Sequence, residues 1–130
     1  MTELPYIVRS DAAGIATLTL NRPQSRNALS LGMLQALLTE LERIATDSQV
    51  HVVVLAGAGP AFCAGHDLKE IRAENFSFAY TRNLFDECAR VMLAIVNLPK
   101  PVIAQVHGIA TAAGCQLVAS CDLAVAAEDA

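Results

Sequence analysis

The chain has 130 residues, 54% of them hydrophobic and only 17% charged, with no tryptophan and a formal charge of −4 at pH 7. A mean hydropathy of +0.42 excludes an intrinsically disordered chain. The acidic balance offers no electrostatic footprint for nucleic acid or for an anionic membrane surface.

Ile15 to Leu20 alternates as a half-buried strand, which Asn21, Arg22 and Pro23 end. Ser30 is placed to cap a helix in which Leu34, Leu37, Leu38, Leu41 and Ile44 recur at helical spacing. Val50 to Ala56 is a continuous apolar run broken only by His51, the pattern of a strand covered on both faces. Gly57, Gly59 and Pro60 then force a loop. A short helix is expected near Asp67 and a longer one within Phe78 to Leu98, where Leu84, Cys88, Val91 and Ile95 align until Pro99 and Pro101 stop it. A strand at Val102 to Val106, a loop through Gly108, a helix from about Ala112 to Ser120 and a strand at Asp122 to Ala126 complete the series. Strands alternating with helices make the class α/β with parallel pairing, in one domain.

Pro101 to Cys121 carries no formal charge, but Gln105, His107, Thr111, Gln116 and Ser120 interrupt it. A buried strand, loop and helix fit it better than a membrane span. Met1 to Ser10 has neither an apolar run behind a basic start nor an Arg- and Ser-rich pattern, which makes cytoplasm the expected compartment. Cys63, Cys88, Cys115 and Cys121 form no CxxC pair and are expected as reduced thiols. Cys63, His66 and Asp67 crowd three donors into five residues with no second cluster, a poor zinc set, so no metal is expected. Charges this sparse leave apolar area to face another subunit or further sequence, and self-association is expected.

Common nucleotide and hydrolase motifs fail. Phe62 occupies the third glycine position of a dinucleotide fingerprint, no Gly-Lys-Ser/Thr follows, and there is no GxSxG. Two glycine loops instead lead from buried strands into helices: Phe62-Cys63-Ala64-Gly65-His66-Asp67 and Thr111-Ala112-Ala113-Gly114-Cys115. Each would present unpaired backbone N–H groups at a helix N-terminus, and two such ends facing each other would make an oxyanion hole. Two ordinary tight turns satisfy the same spacing.

These loops, with Asn21-Arg22-Pro23, Asn27-Ala28-Leu29, Leu68-Lys69, Pro101-Val102-Ile103-Ala104, His107-Gly108, Gln116-Leu117 and Cys121-Asp122, closely resemble the enoyl-CoA hydratase/isomerase, or crotonase, superfamily. The run from His107 to Gln116 looks like its enoyl-CoA hydratase domain-containing protein 3 group. The resemblance implies a crotonase-like ββα spiral, of which residues 1–130 would be the N-terminal part, with the C-terminal half of the fold absent. It further implies an acyl-CoA or enoyl-CoA thioester as partner, trimer-based homo-oligomers, and coenzyme A only as part of the substrate, without a separate cofactor. By position, the backbone N–H groups of His66 and Ala113 would bind the thioester oxygen. Arg26, Ala64, His66, Asp67, Leu68 and Lys69 would bind coenzyme A, with Arg26 and Lys69 as phosphate partners, although Arg22, Arg26, Lys69 and Arg72 suit solvated surface charges equally well.

Gln116 stands where the resemblance places the first catalytic glutamate, and an amide accepts no proton in this range. The second glutamate would lie past Ala130. Three functions stay open: hydratase/isomerase chemistry in the complete protein, catalytically weak acyl-CoA binding, and thioester hydrolysis assisted by Cys63, Cys115, His66 or His107. His107 is expected as a loop histidine satisfied by backbone, and Asp122 as a residue that caps the preceding helix or orients a loop.

Overall fold

A computed structural model describes residues 4–130; the start of the segment read for a leader, residues 1–3, lies outside them. The backbone forms β1 (Ile7–Ala12), β2 (Ile15–Leu20), α1 (Leu31–Ala45), β3 (Val52–Gly57), α2 (Leu68–Ala73), α3 (Phe78–Asn97), β4 (Val102–Val106), α4 (Ala113–Ser120) and β5 (Leu123–Ala126). The strands make one five-stranded sheet in the order β1-β2-β3-β4-β5. Only β1 pairs antiparallel, through a turn in which Ala13 and Gly14 both have positive φ. This is the backbone twist that two-residue hairpins require.

Sequential parallel strands joined by crossovers of one hand place all the helices on one face. Consistent with this, α1 packs on α3 and α3 on α4. The register lines up the buried rows Ala16–Val53–Val102 and Leu18–Leu55–Ala104 beneath them. Leu34, Leu37, Leu41 and Ile44 of α1 and Leu84, Cys88, Val91 and Ile95 of α3 close the core from above. Each residue that the helical spacing aligned in α3 is therefore buried.

The opposite face corrects one expectation. Val52 and Val54 are only half-buried, so this face of β3 is less covered than the one that holds Val53 and Leu55. The row Thr17–Val54–Ile103–Leu123 runs from half-buried to open, with Leu123 63% exposed at the free edge of β5. Asp122 is also corrected. Its carboxylate accepts from Val102 N at 2.7 Å while its own N–H donates to the Val102 carbonyl at 2.9 Å, so it clamps β5 to β4 and caps no helix. No helix among the described residues is long and apolar enough to cross a membrane.

Candidate functional site

Three loops leave the same ends of neighbouring strands and lie side by side. The first follows β2. Pro23 opens a short 3-10 turn, and Arg26 and Asn27 then both adopt left-handed backbone at φ 52° and 54°. Asn27 is fully buried, and its side-chain Nδ2 donates to the carbonyls of Ala58, Ala61 and Phe62 at 2.9, 3.0 and 3.1 Å. Arg22 is not free to meet a phosphate. Its guanidinium lies 3.9 Å from the centre of the Tyr6 ring and donates to the carbonyls of Leu4, Pro5 and Asn21.

The second loop runs from β3 to α2, parallel to the first. Ala64 N donates to Arg26 O at 3.0 Å, Leu29 N to Gly65 O at 2.7 Å, and Asp67 N to Leu29 O at 3.4 Å. Asp67 then caps α2 by accepting from Glu70 N at 3.2 Å. Glu70 in turn accepts from Leu31 N at 3.0 Å, which ties α2 to the start of α1. The His66 ring meets Phe85 of α3 edge-on, with centroids 4.8 Å apart. Its Nδ1 is buried without a hydrogen-bond partner among the described residues. Burial pushes the imidazole below its ordinary range, and the nearby Leu29 carbonyl offsets part of that shift.

The third loop runs from β4 to α4 and lies along the second. Phe62 N and Cys63 N both donate to Ile109 O, and Thr111 N donates to Cys63 O at 3.1 Å. His107 Nε2 is 2.6 Å from Gly59 O, a loop histidine satisfied by backbone. Ala112, at φ 52° and ψ −125°, precedes α4 in a conformation that costs a side-chain-bearing residue roughly 1–3 kcal/mol.

These turns bring Gly65, the residue before His66, against the start of α4. Gly65, the neighbour of His66, sits so close to the third loop that a Cβ on it would lie 3.3 Å from Ala113 N and 3.0 Å from the Ala112 methyl. Among the described residues, neither His66 N–H nor Ala113 N–H finds a backbone acceptor. Beside them lies a groove of about 640 Å³, lined by Arg26, Ala64, His66, Asp67, Leu68 and Lys69 together with Pro23, Gln24, Ser25, Ala28 and Pro60. All six positions assigned to coenzyme A thus share one groove, whereas Ala113 and Gln116 do not line it. Gln116 is exposed on α4. The five further lining residues were not assigned to coenzyme A from the sequence, although Pro23 and Ala28 belong to the motif segments.

The cysteines separate by environment. Cys63 is buried, its Sγ donates to Asn27 O at 3.2 Å, and desolvation pushes its thiol up to about 11. Its burial and raised pKa count against it as the nucleophile named for thioester hydrolysis. Cys115 is exposed on the first turn of α4.

A family model described as enoyl-CoA hydratase/isomerase matches residues 10–130. The chain belongs to the enoyl-CoA hydratase/isomerase family. It is 47% identical over 124 residues to the mitochondrial enoyl-CoA hydratase domain-containing protein 3 of Xenopus laevis, covering 95% of this chain and 42% of the relative. The Homo sapiens protein of that name is 47% identical over 115 residues, covering 88% of this chain and 38% of the relative. Among solved structures, an enoyl-CoA hydratase from Mycobacterium smegmatis superposes with a TM-score of 0.91 at 61% identity, covering 95% of this chain and 48% of that one. The α/β crotonase fold and the likeness to the domain-containing protein 3 group are thereby established. The chain spans about two-fifths of the length of these curated relatives. The cytoplasmic expectation is corrected: relatives from Xenopus laevis, Danio rerio and Homo sapiens are named mitochondrial. A packed domain carries no address, and a default drawn from the lack of a recognisable leader had no physical basis in the fold.

Proposed function

We propose that the chain binds an acyl-CoA thioester along the groove, with the His66 and Ala113 N–H groups donating to the thioester oxygen, and that the whole protein performs enoyl-CoA hydratase/isomerase-type chemistry. The observation that carries this is that His66 N–H and Ala113 N–H, on adjoining turns, find no backbone acceptor among the described residues, with Gly65 packed against Ala113 N. When a thioester enolises or is attacked, negative charge develops on its oxygen. Each preorganised donor aimed there contributes roughly 3–4 kcal/mol. The costly backbone of Ala112 fits a turn built to aim the next N–H outward.

Arg26 and Lys69, both exposed at the groove, are the cations offered to phosphate, and Leu68, 74% exposed, offers apolar surface to a nucleobase. Because the donors are backbone, the His66 imidazole acts as a wall packed on Phe85. A relative from Escherichia coli, 40% identical over 116 residues, is named 2,3-dehydroadipyl-CoA hydratase, which supports a CoA-linked substrate. The open apolar row at Ile103 and Leu123 supports assembly with further copies, trimer-based as the family resemblance implies.

One observation favours a second function. Gln116 cannot take or give the proton that hydration needs, and such a group commonly contributes a factor of roughly 10² to 10⁴. Binding without turnover is the outcome if nothing outside this chain replaces it. Calorimetric titration with acetyl-CoA and with free CoA, alongside a crotonyl-CoA hydration assay, separates the two. Saturable binding with hydration supports the enzyme, binding alone supports the weak paralogue, and no binding to a folded chain rejects both.

A further inference from the structure

Asn27 entered the sequence comparison as one letter of a motif, without a role, yet its side chain ties the first loop of the site to the second, on which the third rests. Its Oδ1 accepts from Arg22 N at 2.8 Å, while its Nδ2 faces three carbonyls, those of Ala58, Ala61 and Phe62. The amide orientation is fixed by this set, since a flip would turn an oxygen onto three carbonyls. The Asn27 carbonyl also accepts from Cys63 Sγ. A left-handed φ at 27, which Asn tolerates better than most residues, is what turns the amide inward. Gly57 makes room for it: a Cβ there would lie 3.1 Å from Nδ2 and 2.7 Å from Phe62 O.

The strap from Ala58 to Cys63 that Asn27 grips is the one that the third loop rests on. Phe62, Cys63 and Gly59 hold Ile109, Thr111 and His107 by hydrogen bonds, and the strap continues through Ala64 and Gly65 into His66. We propose that Asn27 is a positioning residue of the thioester site, its side-chain amide fixing the strap from which both His66 N–H and Ala113 N–H take their placement. This deepens the function proposed above and rests on it for the ligand.

The test compares Asn27→Asp, which keeps the acceptor for Arg22 N but sets an oxygen against three carbonyls, with Asn27→Gly, which suits the left-handed backbone and deletes the amide. Leu37→Ala, a core truncation in α1, serves as a stability-matched control. Amide ¹H and ¹⁵N shifts of His66 and Ala113 are read in each free 130-residue chain well below its melting temperature, and acetyl-CoA affinity by calorimetry. Both Asn27 variants are expected to move the two amide resonances together and to weaken acetyl-CoA at least tenfold, with Leu37→Ala moving neither. If Asn27→Asp does not fold, Asn27→Gly decides alone. Unmoved amides in a folded Asn27 variant overturn the proposal, as does an affinity equal to that of the control. If the unaltered chain binds no acetyl-CoA, the ligand assignment fails, and the amide shifts still decide the role of Asn27.

Discussion

A methyl group on Gly114 would stand 2.2 Å from the carbonyl oxygen of Cys63. The start of α4 is thus in backbone contact with the loop that leads to His66, and no side chain can give way to relieve the clash. Gly114→Ala must push the two loops apart. Thermal or denaturant unfolding should show a loss of about 1–3 kcal/mol, the usual cost of overpacking. Acetyl-CoA affinity should fall at least tenfold in the folded variant, because the two donors separate. A variant that melts lower but binds as before would detach the contact from the site.

His66 makes stability depend on pH. Desolvation lowers its pKa from the ordinary 6.5, so the unfolded chain holds more protons than the folded one between the depressed value and 6.5. Stability from this residue is full above 6.5 and is lost as pH falls through the depressed value. Melting temperatures measured between about pH 5 and 8 should therefore drop on the acid side, and His66→Leu should flatten that drop. The same variant keeps its backbone N–H and should retain acetyl-CoA binding, whereas abolished binding in a folded His66→Leu would assign the imidazole a direct role.

The four thiols should react in an order set by burial. Cys63 and Cys121 are each pushed up to about 11 by desolvation, and Cys88 is raised by the same cause, whereas Cys115 is exposed. Iodoacetamide at about pH 8, followed by peptide mass spectrometry, should label Cys115 first and leave Cys63 unlabelled until the chain unfolds. Early labelling of Cys63 would show that the strap opens in the native state.

Gln116→Glu tests the proton-handling group. The side chain is exposed, so the substitution should change stability by no more than about 0.5 kcal/mol. In the complete protein it should raise crotonyl-CoA hydration by roughly 10² or more if this carboxylate is the missing acid/base. An unchanged rate would show that hydration does not pass through this position.

Elements with a strong period were legible in the sequence. Leu34, Leu37, Leu41 and Ile44 marked α1, Ser30 caps it by accepting from Met33 N, and Val102 to Val106 is β4 with the expected bounds. The first strand was not legible, because Val8-Arg9-Ser10-Asp11-Ala12 is exposed or half-buried at the sheet edge and shows no alternation. Covered faces of β3 were overestimated for a related reason: an apolar run reports what a residue could pack against, and here one face of Val52 and Val54 stays half open. In the site, the glycine loops and six of the positions lining the groove were readable from motif letters, whereas Gln24, Ser25 and Pro60 were not. The roles of Asn27 and Asp122 were not, since each acts through hydrogen bonds to backbone groups that carry no residue identity.

The most direct test of the account is a pair of ¹⁵N-resolved NMR titrations of this chain, one with acetyl-CoA and one with free CoA, which lacks the thioester oxygen. Residues 64 and 67–69 should respond to both ligands, while the His66 and Ala113 amide resonances should make their large, saturable downfield shift with acetyl-CoA alone. Identical responses of those two amides to both ligands, or saturable acetyl-CoA binding that leaves them unmoved, would contradict it.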